Sequence, residues 1–252
     1  MTGAGEPFFI GYVNRVPRSL AAFLTLFAAA FVGAMAGLAL AIGAGIDDPG
    51  DGHFAFADGQ QHLVGTLRAD PYPVLHIPAD GDAPARAVLL AGQGKRGVIE
   101  QAAALDGRPV EASGIMLKRG GIDMLQVGGD VGLRAAEAAA PRPPAPATSL
   151  GRWRLTGEIC DGKCWLGAMR PGNGLAHKAC ANLCIIGGLP PVFVSSGEVA
   201  GETFFLLADA DGRRLGEEVY DLVALTIEVE GNVERRDGLM VFSIDLASVR
   251  VP

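Results

Sequence analysis

All four cysteines of this 252-residue chain fall in one short stretch, as Cys160-x3-Cys164 and, beyond the turn-forming run Arg170-Pro171-Gly172-Asn173-Gly174, His177-x2-Cys180-x3-Cys184. Thiols and an imidazole at that density can cross-link as disulfides, hold zinc, copper or a soft metal in transit, or exchange with another thiol. A helix over residues 176–185 would put His177, Cys180 and Cys184 at i, i+3 and i+7 on one face. Gly187-Gly188 would end it and Pro190-Pro191 would keep it from resuming. In an oxidising compartment two disulfides are the simplest expectation. Cys180 and Cys184 are poorly directed to pair along a helix, so Cys160 and Cys164 are expected to pair across to them. The metal reading lacks the C-x2-C spacing of zinc ribbons and the C-x2-C-H of haem attachment, and no cofactor is assigned. Thiol redox chemistry would need an exposed thiolate of lowered pKa, for which Lys163 and Lys178 are the neighbouring cations.

Other reactive residue types give little. Ser195-Ser196-Gly197 has no G-x-S-x-G setting and reads as a turn. His53, His62 and His76 lie apart, and His76 in Val74-Leu75-His76-Ile77 reads as one face of a strand. Gly92-Gln93-Gly94-Lys95-Arg96-Gly97 lacks the Lys-Ser/Thr ending of a phosphate loop and reads as a surface turn. Asp209 and Asp211 do not have EF-hand spacing. Lys118-Arg119 and Arg235-Arg236 read as solvated hairpin tips. No catalytic residue is therefore assigned, and the chain is expected not to be an enzyme.

The elements that position the cysteines begin with a membrane segment. The apolar share is 49%, only 19% of residues are charged, and mean hydropathy is +0.29, which excludes intrinsic disorder. Ser19 to Ile46 holds no charged residue, and a helix of about 20 residues already crosses the hydrocarbon core. Arg15 and Arg18 precede it while Asp47 and Asp48 follow, so the positive-inside bias places 1–18 as a cytoplasmic tail, 19–46 as the transmembrane helix and everything later outside the cytoplasm. The run is too long for a cleaved signal peptide. In a bacterium this predicts a single-pass inner-membrane protein with its bulk in the periplasm. Ala29, Gly33, Gly37 and Ala41 recur every four residues, as in helices that pack closely in the bilayer, although an Ala-rich helix also produces such ladders by chance. A net charge of −7 with 6% aromatics opposes nucleic-acid binding.

Beyond the anchor the sequence reads as short strands that repeat. Val110-Glu111-Ala112-Ser113-Gly114, Arg119-Gly120-Gly121 and Ile122-Asp123-Met124-Leu125 match Ile227-Glu228-Val229-Glu230-Gly231, Arg236-Asp237-Gly238 and Leu239-Met240-Val241-Phe242. Both are hairpins with Gly-containing turns. Upstream, residues 87–91 match 204–208 and Gly65-Thr66-Leu67 matches Gly157-Glu158-Ile159, with short helical candidates at 98–105 and 217–222. Strand, strand, strand, short helix and hairpin is the order of a five-stranded Greek-key barrel, so the expected fold is all-β: two OB-fold-like barrels in tandem behind one transmembrane α-helix. The boundaries are 53–134 for the first and 151–252 for the second, joined by an Ala/Pro-rich linker over 135–150. The second copy carries about 25 extra residues between its first two strands, and this insertion, 160–190, holds the cysteines.

The run from Lys163-Cys164-Trp165 through Met169-Arg170-Pro171-Gly172-Asn173-Gly174, with His177, Cys180-Ala181, Cys184, Gly187-Gly188 and Pro190-Pro191, resembles a segment of uncharacterised bacterial membrane-anchored proteins that go with membrane-bound oxidoreductase systems. The likeness covers about 30 residues, with a looser one around Gly11-Tyr12 and Arg15-Val16-Pro17-Arg18. It implies a redox setting and no particular reaction. The layout is also similar to the haem chaperone of cytochrome c maturation, from which this chain departs by its duplication and by lacking a His-x3-Tyr attachment pattern. The function expected on these grounds is an accessory or assembly subunit of an inner-membrane electron-transfer complex. It would act by contacts with the bilayer and with integral membrane and periplasmic redox proteins. The alternative is a metal- or thiol-handling protein using Cys160, Cys164, His177, Cys180 and Cys184.

Overall fold

The computed structural model describes residues 16–45, 50–136 and 144–252. Residues 1–15 of the expected tail, the acidic pair Asp47 and Asp48 and residues 137–143 of the linker lie outside the described residues. Two bodies result, one ending at Asp48 and one beginning at Pro49.

Helix α1 (Arg18–Gly45) is 28 residues long, about 42 Å at 1.5 Å per residue, more than the roughly 30 Å of a hydrocarbon core. Its apolar side chains, Phe23, Phe27, Phe31 and Leu40 among them, are exposed, and the three phenylalanines stack along one face. A helix apolar all round and unburied by its own chain is long and apolar enough to cross a membrane. A methyl group built on Gly33 or Gly37 would meet nothing within 4 Å.

The second body is mostly β. In its first half, β2 (Gln61–Arg68), β3 (Val74–Ile77) and β4 (Arg86–Ala91) form an antiparallel meander, preceded by the two-residue β1 (His53–Phe54). Helix α2 (Ile99–Ala103) then leads into β5 (Pro109–Arg119), β6 (Ile122–Val127) and β7 (Leu133–Ala135). β4 pairs parallel with β6, β6 antiparallel with β5, and β5 antiparallel with β2, so the pairings return to where they began. β1 and β7 add to β5. In the second half, β8 (Thr148–Asp161), β9 (Pro191–Val199), β10 (Glu202–Asp209), β11 (Thr226–Arg236) and β12 (Leu239–Arg250) form a closed five-stranded barrel. Period-two alternation fills it: Ile227, Val229 and Val233 are buried, while Glu228, Glu230 and Asn232 on the intervening positions are not. Registers agree between the halves. Gly65 opposes Val110 as Gly157 opposes Ile227, and the parallel pairs Leu89–Met124 and Leu206–Val241 fall at matching positions.

One buried cluster fills the closed barrel of the second half, another lies in the sheet of the first half, and a third, built from Tyr72, Leu89, Leu117, Met124, Cys164, Trp165, Leu166, Cys184, Phe204 and Leu206 among others, draws on both. Arg119 at one hairpin tip and Asp237 at the other belong to this junction, which corrects the reading of Arg119 as solvated, while Lys118 pairs with Asp58 at the surface as expected. The Arg119 guanidinium lies 3.5 Å from the centre of the Trp165 ring and donates to the Trp165 carbonyl at 3.1 Å. Asp237, at φ 47° in the β11–β12 turn, reaches His76 Nδ1 at 2.7 Å. Ser195-Ser196-Gly197 likewise proves to be part of β9 rather than a turn. Of the helical candidates, 98–105 shortens to α2 and 217–222 to the single 3-10 turn Glu217–Val219.

Burial lowers the pKa of His76, an effect its Asp237 bond only partly opposes. The unfolded chain therefore binds a proton that native His76 does not, in the window between that depressed value and about 6.5. Stability should fall as pH drops through that window. A pH series of thermal unfolding should show the loss, and His76→Gln should flatten its slope. An unchanged slope would remove His76 as its source.

Candidate functional site

The extra residues of the second half fold as two short pieces clamped between the two halves of the β body. The first is the turn Cys164–Ala168, which follows β8 directly. Asp161, the last residue of β8, sets its start by accepting the Cys164 N–H at 2.8 Å. The second is the 3-10 turn Leu175–His177 running into α3 (Lys178–Ile186). Its end is a Schellman motif: Leu189 N–H reaches the Cys184 carbonyl at 3.0 Å, and Gly188 N–H reaches Ile185 at 2.9 Å with Gly188 at φ 90°. Pro190 and Pro191 then turn the chain into β9. The expected helix is thus present one to two residues later than predicted, with its predicted stop.

Along α3, Cys180 and Cys184 stand one turn apart and meet Cys164 from the preceding turn. Their three Sγ atoms lie within 4.8 Å of one another, and Cys164 Sγ to Cys184 Sγ is 4.0 Å. Disulfides are therefore not formed, which corrects the expected cross-pairing: all four cysteines are free, and 4.0 Å is about twice a sulfur–sulfur bond of roughly 2.05 Å. The physical reason lies in what each thiol faces. Cys160 is outside the group and donates to Glu158 Oε1 at 3.3 Å, so it has no sulfur partner. His177 is not aimed at the three sulfurs as a set. It gathers with Cys164 and Asp161, and its Nε2 sits 3.0 Å from Asp161 Oδ2 with both side chains buried.

The remaining parts of the site come from the first half, through the loop that the sequence suggested was a bare surface turn. Lys95 Nζ lies 2.6 Å from Cys180 Sγ and 3.7 Å from Cys184 Sγ. Buried Lys163, beside Cys164, donates in return to the carbonyls of Gly92 at 2.7 Å and Gly94 at 2.9 Å. Backbone contact fixes the approach: Gly97 N–H donates to Gly187 O at 2.8 Å, and a methyl group on Gly187 would collide with the Lys95 carbonyl, which is why a side chain is not tolerated there. Lys178, the other cation considered from sequence, turns away to the Asp221 carbonyl at 2.6 Å.

The electrostatics follow from these contacts. Burial pushes the Cys160 thiol up, with Glu158 adding to it. The hydrogen bond to Cys184, with burial behind it, keeps Cys164 a thiol, and the same bond favours the thiolate on Cys184. Contact with Cys180 raises Lys95, and burial lowers Lys163. The arrangement is a set of reduced, soft donors with one cation at its mouth, able to take up a soft ion or to exchange electrons as a dithiol. Cys180 alone of the four is not fully buried. Alkylation of the native protein should therefore modify Cys180 first, with the other three reacting only on unfolding; equal rates by peptide mass spectrometry would contradict this burial order.

The aspartates Asp209 and Asp211 are committed to their own turn, where Asp209 Oδ1 accepts the backbone N–H groups of Asp211 and Arg213 at 2.9 and 2.7 Å. No family model, curated protein or solved structure matches the chain. Sequence reasoning missed Lys95 and Asp161 as parts of the site. Lys95 stands 85 residues from Cys180 and carries no local signal, whereas Asp161, next to Cys160, was visible as a carboxylate inside the cysteine segment.

Proposed function

We propose that this chain is a membrane-anchored metal- or thiol-handling protein, metallochaperone-like, that serves a redox complex of a bacterial inner membrane from the periplasmic side. The observation that carries the reading is the convergence of Cys164, Cys180 and Cys184 as free thiols within 4.8 Å of one another, under a lysine supplied by the other barrel. A purely structural use of these cysteines would be served by bonds between them. On this reading the two halves are tandem OB-fold-like barrels, a view supported by their matching strand order and register. The insertion occupies the loop after the first strand, a place where such barrels commonly build ligand sites. Helix α1 tethers the chain to the bilayer, with its N-terminus in the cytoplasm.

A second reading, an accessory subunit acting by protein contacts alone, is favoured by one observation: Leu175, Leu183 and Ile186, on and just before α3, are exposed apolar side chains beside the cluster. One experiment separates the two. The tagged chain, purified from its own membrane, is analysed for metal content and for thiols by intact mass. Bound metal, or thiols that cycle reversibly, supports handling. Two disulfides without metal would overturn it and favour the contact role. A C-terminal reporter active only in the cytosol would overturn the periplasmic placement.

A further inference from the structure

The metal arm of that function can be made more definite from the spacing of the sulfurs. Metal–sulfur bonds of about 2.3 Å place three coplanar sulfurs about 4.0 Å apart, and four tetrahedral ones about 3.8 Å apart. Cys164 and Cys184 stand at 4.0 Å, and Cys180 completes a triangle with no side above 4.8 Å. The thiols are thus spaced as ligands around one ion. Each is also held: Cys164 by the turn that Asp161 pins, Cys180 and Cys184 by a helix whose end is locked by its Schellman motif and by the Gly97–Gly187 bond.

What surrounds the triangle limits the coordination number. Over Cys180 sits the Lys95 ammonium, which carries no free electron pair to donate to a metal. The imidazole of His177 and the carboxylate of Asp161 also come within 4.8 Å of Cys164 Sγ, but they are paired with each other, Nε2 to Oδ2, at 3.0 Å. Cys160 faces Glu158. Zinc in structural sites takes four ligands, whereas soft thiolates without a fourth donor suit a cuprous-type ion. Lys95 and Lys163 offset part of the negative charge that three thiolates and an ion would leave in a largely buried place.

We infer that Cys164, Cys180 and Cys184 form a three-thiolate site for one soft monovalent ion of the Cu(I) or Ag(I) class, with Lys95 as its cationic lid and Cys160 outside it. Uptake exchanges the ion for the protons of whichever of the three thiols are protonated, and no electron is transferred. Lys95 is a positioning residue here, acting through Cys180.

The test titrates the reduced full chain in detergent, without oxygen, with silver(I) nitrate and cuprous acetonitrile, and then competes each with zinc. Native mass spectrometry and the ultraviolet sulfur-to-metal bands are the readouts. One ion per chain is expected. Cys164→Ser, Cys180→Ser and Cys184→Ser should each lose the stoichiometric ion, while Cys160→Ser and Cys160→Ala, whose folding is checked by circular dichroism, keep it. Lys95→Met should keep the stoichiometry but bind about 10- to 100-fold more weakly, the range for groups that support metal ligands. Preference for zinc, binding that survives loss of any of the three sulfurs, or loss of the ion in both folded Cys160 variants would overturn the inference. Reversible dithiol oxidation with no ion bound would remove the metal site and leave thiol handling standing; neither behaviour would remove both.

Discussion

Asp161→Ala is expected to destabilise the protein by about 2–6 kcal/mol, because two buried groups lose the acceptor they share. Asp161 is fully buried, and its two oxygens accept from Cys164 N at 2.8 Å and pair with His177 Nε2 at 3.0 Å. Alanine leaves both groups buried without an acceptor, each worth about 1–3 kcal/mol. Against a total stability of roughly 5–15 kcal/mol this is a large loss. Denaturant unfolding measures it, and Asp161→Asn, which keeps one acceptor oxygen, should recover part. Because the same carboxylate starts the turn that carries Cys164, alkylation of Cys164 should accelerate in the alanine variant. A loss below about 1 kcal/mol, the scale of an ordinary surface change, would show that Asp161 does not organise the insertion.

Lys163→Met is expected to cost about 2–4 kcal/mol. The methionine keeps an unbranched stem of similar length but has no N–H, so the carbonyls of Gly92 and Gly94 lose their donor. Two hydrogen bonds from a charged group contribute about 1.5–3 kcal/mol each, and relief from burying the ammonium offsets part of that. The opposing term is real here, since burial lowers the pKa of Lys163. The loop those carbonyls belong to also carries Lys95, so hydrogen exchange over residues 92–97 should rise and Cys180 should become more accessible to alkylation. Unchanged stability together with unchanged exchange would mean the loop is held by Gly97 and Gly187 alone.

The legible parts of the fold were those written in local pattern. The charge-free run gave α1, paired hairpins with glycine turns gave β5–β6 and β11–β12, and Gly187-Gly188 followed by two prolines gave the end of α3. The cysteine segment was legible as a chemical site for the same reason, since its residue types are rare and close together. What escaped was set by distance along the chain. Nothing around Lys95 marks it as facing Cys180, and nothing around Arg119 or Asp237 marks a hairpin tip as packing on the other half. The disulfide expectation failed for a related reason: spacing shows which thiols are near in sequence, but not that Cys160 faces Glu158, two residues back, and stands apart from the other three sulfurs.

The sulfur cluster takes its cover from a loop nearly seventy residues nearer the N-terminus than Cys164. Chains fold as they are made, earlier segments first. The strands that carry the Lys95 loop can therefore be made before the thiols emerge, and Lys163, one residue ahead of Cys164, arrives with the first sulfur of the cluster to fix that loop over it. Order of synthesis would then guard the most oxidisable part of the protein during the interval when it is most exposed.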